Sequence, residues 1–158
     1  MIFNKLIFLG SDHGGFNLKE KIKLYLYSNN LLVHDVGTSS EDSVNYVEYA
    51  SKVAREVLIH DSVGIICCSS GIGVSIVANK FMGVRAALCT SKFHAEFSRR
   101  HNDANIMCLG QKVTPENEAI EMVNIFLNTG FDGGRHLKRV NSILKIEENN
   151  FKVIREKI

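Results

Sequence analysis

Residues 67–75, Cys67-Cys68-Ser69-Ser70-Gly71-Ile72-Gly73-Val74-Ser75, follow the apolar run Val63, Ile65, Ile66 and lead into the helical pattern Ile76, Val77, Lys80. A strand that turns through glycines into a helix aims several backbone N–H groups at one spot, which suits phosphate or a developing oxyanion. A cysteine at the lip of such a nest can become a thiolate that moves protons. The same residues also suit the end of a buried core strand, where cysteine acts as a small hydrophobe. Strand alternation points Cys67 and Cys68 to opposite faces and leaves Cys68 nearer the loop, but spacing alone does not choose between them.

Three other clusters carry chemistry. Gly10-Ser11-Asp12-His13-Gly14-Gly15 follows the first apolar run. Asp12 and His13 there could touch a sugar hydroxyl and its phosphate, and Asp12 equally suits a helix-entry cap. This is not a dinucleotide fingerprint, because G-x-G-x-x-G is absent. In Ser98-Arg99-Arg100-His101-Asn102-Asp103 the arginines suit the negative end of a helix, whereas His101 and Asn102 fall in the turn after it, within reach of a ligand. Arg135 and Arg139, four apart, could converge on a dianion or form a solvated basic face. A cysteine-phosphatase reading fails, because the sixth residue after Cys67 or Cys68 is Gly73 or Val74 rather than arginine. No G-x-S-x-G elbow is present either.

These clusters need a scaffold, and the chain supplies alternating strand-like and helix-like segments. Strands are expected at Lys5–Leu9, Leu31–Val36, Val63–Cys67, Val84–Cys89 and Asn105–Leu109. Helices are expected around Phe16–Leu26, over Tyr46–Ile59, to about Lys80, over Lys92–Arg100 and over Glu116–Asn128, the last with Pro115 in its first turn. Short apolar runs without strict alternation suit parallel strands buried on both faces. The expectation is a single α/β domain over 1–158: a doubly wound, Rossmann-like five-stranded parallel sheet flanked by helices. A C-terminal helix follows from Leu137, with residues 147–158 as an extension. Ligands in such sheets sit beyond the carboxyl ends of the strands.

Composition narrows the class. The 158 residues are 45% hydrophobic and 23% charged, with a net charge of +2. That charge is too small to argue for nucleic acid or an anionic membrane as partner. The apolar start is too short to span a bilayer and lacks the features of a cleaved leader. The four cysteines, none in C-x-x-C spacing, argue against zinc ligation or a disulfide scaffold and for a reducing, cytoplasmic setting.

Together the pieces resemble the type B ribose-5-phosphate isomerase family, which also includes the galactose-6-phosphate isomerase subunits. The likeness runs from Lys5 to about Ile146. Its marks are Gly10-Ser11-Asp12-His13, Cys68 to Lys80, Gly83-Val84-Arg85-Ala86, Ser98 to Asn102, and Gly133-Gly134-Arg135-His136.

The resemblance implies an aldose–ketose isomerase of pentose phosphate metabolism, interconverting ribose 5-phosphate and ribulose 5-phosphate with no metal and no cofactor. It makes Cys68 the base that carries a proton between carbons 1 and 2. It makes His101 of the other subunit the group that opens the sugar ring. It places His13, Arg135 and Arg139 on the phosphate, Asp12 and Asn102 on the sugar, and an anion hole in Ser69, Ser70, Gly71, Ile72 and Gly73. The implied assembly is a homodimer with shared active sites, or a tetramer built from it.

Five positions depart from the family pattern. Ser70 replaces threonine but keeps a hydroxyl able to relay protons, and Ser69 replaces glycine and crowds the loop. Asn45-Tyr46-Val47 replaces Asp-Tyr-Pro, leaving Tyr46 as a lining residue at most. Lys112 replaces an arginine and offers the phosphate charge without a bidentate fork. Two alternatives remain: an isomerase of allose or galactose 6-phosphate, and a non-catalytic sugar-phosphate sensor.

Overall fold

The computed structural model describes residues 6–155. Five parallel strands form one sheet in the order β2-β1-β3-β5-β4. They are β1 (Ile7–Ser11), β2 (Val33–Asp35), β3 (Val63–Cys68), β4 (Ala86–Leu88) and β5 (Ile106–Gly110). The helices are α1 (Phe16–Ser28), α2 (Tyr46–Ile59), α3 (Ile72–Ala78), α4 (Lys92–Asn102), α5 (Glu116–Asn128) and α6 (Arg135–Arg155). A 3-10 turn at His13–Gly15 joins β1 to α1.

Every residue of β1, β3 and β5 is buried, which is why their sequences run apolar without alternating. Ile7, Leu9, Ile65, Met107 and Leu109 pack against α1 and α5 through Leu18, Ile22, Met122 and Phe126. The opposite face sends Phe8, Ile66, Cys68 and Cys108 against Ala50, Val53 and Val57 of α2 and Val74 and Ala78 of α3.

The expected α2 and α5 match to the residue. Other boundaries move for identifiable reasons. β1 runs to Ser11 because its ladder with β3 continues to the pair Ser11↔Cys67; the expected start at Lys5 lies outside the described residues. β2 and β4 are shorter than expected because each is an edge strand paired on one side over three residues. Helix α3 stops at Ala78, where the Asn79 amide donates to the carbonyls of Ser75 and Ala86. α4 continues to Asn102 and ends at Asp103, a left-handed cap with φ 46°. His101 and Asn102 therefore belong to the last helical turn, not to the loop beyond it. α6 starts at Arg135 and keeps its backbone helical to Arg155; the expected end at Ile158 lies outside the described residues. Early in that extension Glu147 accepts the Gly83 N–H at 2.9 Å. Among the described residues no helix is long and apolar enough to cross a membrane.

Candidate active site

β1 lies beside β3, yet the chain leaves β1 through α1 on one face and leaves β3 through α3 on the other. Such a reversal opens a crevice at the strands' carboxyl ends. Asp12 is the first residue past β1 and Cys68 is the last residue of β3, so the two flank that crevice. Cys68 Sγ donates to Asp12 Oδ2 at 3.2 Å. The other oxygen, Oδ1, accepts the Gly15 N–H at 3.1 Å, so Asp12 caps the turn and touches the thiol together. Cys67, one residue earlier, points into the opposite core and is fully buried, whereas Cys68 is 8% exposed.

Burial pushes the Cys68 thiol above its ordinary pKa, and the hydrogen bond and charge of Asp12 push it further. The N–H groups of Ser70 and Gly71 pull the other way and are outweighed. The positive end of the following helix therefore does not by itself produce a resting thiolate.

The loop after Cys68 is held by close backbone approaches. Gly71 sits at φ 78°, a conformation open to glycine at little cost. A Cβ on Gly15 would lie 2.2 Å from the Cys67 carbonyl carbon, so only glycine lets the first loop rest against β3. The crowding expected at Ser69 is relieved across the crevice: its Cβ faces Gly14, where an added Cβ would come within 3.1 Å. The Gln111 and Lys112 N–H groups donate to the carbonyls of Cys68 (2.8 Å) and Ser69 (3.0 Å), which brings Lys112 to the same loop. Ser70 Oγ accepts the Ile72 N–H at 3.3 Å.

Tyr46 is closer to the loop than its sequence context indicated. A Cβ on Gly73 would lie 2.9 Å from its ring, and Asn45 caps α2 by accepting the Val47 N–H at 3.1 Å. The replacement of aspartate by asparagine thus keeps the cap. His13 Nδ1 accepts the Val44 N–H at 3.2 Å, which places the proton of the neutral ring on Nε2.

The remaining expected residues form a second group. α4 leaves the carboxyl end of β4 and returns to the amino end of β5, carrying His101 and Asn102 with it. Gly110, the partner of Cys68 in the ladder, is four residue steps from Ile106, about 13 Å of strand. His101 therefore stands toward the opposite end of the sheet from Cys68 of the same chain. Arg135, at the start of α6, joins the His101 group: its Nε donates to His136 Nε2 at 3.4 Å, and the His136 ring stacks on His101 with centroids 4.0 Å apart. Arg139 lies one helical turn further along α6. Sequence spacing placed no role on His136, because its partner lies on a different helix.

His101, Asp132 and His136 bring their ligand atoms within 4.8 Å of one another. Their geometry opposes chelation. The two imidazoles are parallel to within 9°, so their lone pairs run side by side rather than to a common point. Asp132 is also engaged by Arg100 through two 3.2 Å contacts. With Arg100, Arg135 and Arg139 nearby, the arrangement favours an anion over a cation.

Residues 7–143 match the family model for ribose/galactose isomerases. The chain belongs to the ribose/galactose isomerase family. It is 41% identical over 145 residues to ribose-5-phosphate isomerase B of Escherichia coli, covering 91% of this chain and 97% of that protein. Among solved structures, ribose-5-phosphate isomerase B of Clostridium thermocellum superposes with a TM-score of 0.90 at 44% identity, covering 92% and 99% of the two chains. The enzyme of Mycoplasma genitalium with bound ribulose 5-phosphate superposes at 0.88 with 36% identity, covering 92% and 98%. The family match begins and ends within three residues of the extent that the sequence motifs indicate.

Proposed function

We propose that this chain is an aldose–ketose isomerase that interconverts ribose 5-phosphate and ribulose 5-phosphate. The observation that carries the reading is the Cys68–Asp12 hydrogen bond beside the N–H groups of Ser70 and Gly71. Family membership and the ribulose 5-phosphate bound to the Mycoplasma genitalium relative support the substrate class.

The steps follow from the groups present. Asp12 takes the Cys68 thiol proton, leaving a thiolate in the crevice. The thiolate removes the proton from carbon 2 of the open-chain aldose, and the electron pair moves onto the carbonyl oxygen to give an enediolate. N–H groups in Ser69–Gly73 receive that charge, and the Ser70 hydroxyl carries a proton between the two oxygens. Cys68 then returns its proton to carbon 1. His13, Lys112, Arg135 and Arg139 hold the phosphate away from the reacting carbons, so binding energy spent there orients the chemistry.

The two groups of residues lie at opposite ends of one sheet, which supports a homodimer in which each site takes Cys68 and Asp12 from one copy and His101, Asn102, Arg135 and Arg139 from the other. Exposed Ile72, Ile76, Phe93, Leu137, Ile143 and Ile146 offer apolar surface for that contact. Four free, buried cysteines fit a reducing, cytoplasmic setting.

The test incubates EDTA-treated protein and Cys68→Ala with ribose 5-phosphate, allose 6-phosphate and galactose 6-phosphate while following ketose formation. Turnover of ribose 5-phosphate in the first and none in the second is expected. Turnover of a hexose phosphate alone would replace the substrate. Binding of ribose 5-phosphate without solvent deuterium exchange would make the protein a sensor.

A further inference from the structure

His101 is gripped by rings from two helices. Phe93, Phe97 and His101 recur every four residues along α4 and so share one face. Phe93 and Phe97 stack at 4.2 Å, and Phe97 meets the His101 ring edge-on at 4.7 Å with planes 78° apart. His136, from α6, covers His101 face to face at 4.0 Å. The Arg100 guanidinium lies 5.2 Å over Phe97 and ties α4 to the loop before α6 through Asp132.

His136 is itself fixed. It is buried, its backbone N–H donates to the Gly133 carbonyl at 2.9 Å, and Arg135 Nε donates to its ring Nε2. An Nε2 that accepts leaves the proton on Nδ1, the neutral tautomer. Burial, and then the charges of His101, Arg135 and Arg139, hold its pKa below the ordinary imidazole range, with Asp132 opposing in part. A neutral flat ring is a surface on which His101 can rest whether or not His101 carries a proton.

An isolated histidine rotates broadly about its second side-chain torsion. A ring covered on one face and met at its edge is confined to one plane, and opening a furanose requires the imidazole nitrogen to be aimed at the sugar. We propose that His136, backed by Phe97, is a positioning residue that fixes the plane of the His101 ring for opening the cyclic substrate. This rests on the isomerase reading, in which His101 performs that step.

The two directions of the reaction separate this role from a general structural one. Ribose 5-phosphate enters as a closed ring. Ribulose 5-phosphate cannot close a furanose, because its fifth oxygen carries the phosphate. Exchange of its carbon-1 protons with deuterated solvent therefore needs the Cys68 base but no ring opening.

In His136→Ala, turnover of ribose 5-phosphate should fall on the order of tenfold or more, while deuterium exchange into ribulose 5-phosphate stays within about twofold of the unaltered protein. His136→Phe keeps a flat ring and should recover most of the forward rate. Phe97→Ala should show the same split in weaker form. Retained exchange also reports that the variant is folded and its base competent. Equal losses in both assays, in His136→Ala and His136→Phe alike, would overturn the positioning role, as would an unchanged forward rate in His136→Ala. An unaltered protein that neither isomerises nor exchanges would remove the isomerase reading itself, and this proposal with it.

Discussion

The Cys68 thiol and the Asp12 carboxylate meet at 3.2 Å across the ends of two adjacent parallel strands. Asp12 therefore acts on the thiol in two opposed ways. It raises the thiol pKa at rest, and it is the nearest acceptor for the proton when catalysis calls for a thiolate.

Asp12→Asn separates these effects. Without the carboxylate the Cys68 pKa falls, so alkylation by iodoacetamide should become faster at a given pH and its pH profile should move to lower pH. Isomerase kcat should drop by about 10²-fold or more because the proton acceptor is gone. Slower alkylation in the variant would show that Asp12 does not hold the thiol proton.

Arg135→Ala and Arg139→Ala should each raise KM for ribose 5-phosphate by about tenfold, with a smaller change in kcat. Steady-state kinetics checks this. An unchanged KM would remove the residue from the phosphate site.

A site divided between two copies allows two inactive proteins to repair each other. Cys68→Ala and His101→Asn, mixed in equal amounts and allowed to exchange subunits, should recover about a quarter of the unaltered activity. Half of the dimers are then mixed, and each mixed dimer holds one site with both groups intact. No recovery despite demonstrated exchange would place Cys68 and His101 in the same chain's site.

Gly15→Ala sets a Cβ against backbone rather than against a movable side chain. It should cost about 3 kcal/mol of stability by chemical denaturation and lower activity as well, since it pries Asp12 from Cys68. Gly130→Ala, with nothing within 4 Å, is the control and should change stability little.

The parts legible in the sequence are those decided by local pattern. α2 and α5 follow from apolar periodicity, with Pro115 standing just before the first residue of α5 rather than inside its first turn. The expected alternation of Cys67 and Cys68 holds, because Cys68 faces α2 and α3 while Cys67 faces α1 and α5. Edge strands read too long, since an apolar run does not reveal where its single neighbour stops pairing. α4 read two residues short because its end depends on Asp103 adopting a left-handed cap and being held by Arg85 and Arg99. The His101–His136 stack, and the distance of both from Cys68, arise where α4 and α6 meet, and no spacing within either helix records it.

The separation of Cys68 from His101 by the length of a strand also ties output to abundance. In the dimer reading an isolated chain carries two unfinished half-sites, so the active fraction is set by mass action. Diluting the protein below its subunit dissociation constant should lower the rate per chain, and added ribose 5-phosphate, gripped by both copies, should hold the pair together. Substrate would then act as a bridge between subunits, so that the pool of assembled enzyme rises and falls with the sugar phosphate it consumes.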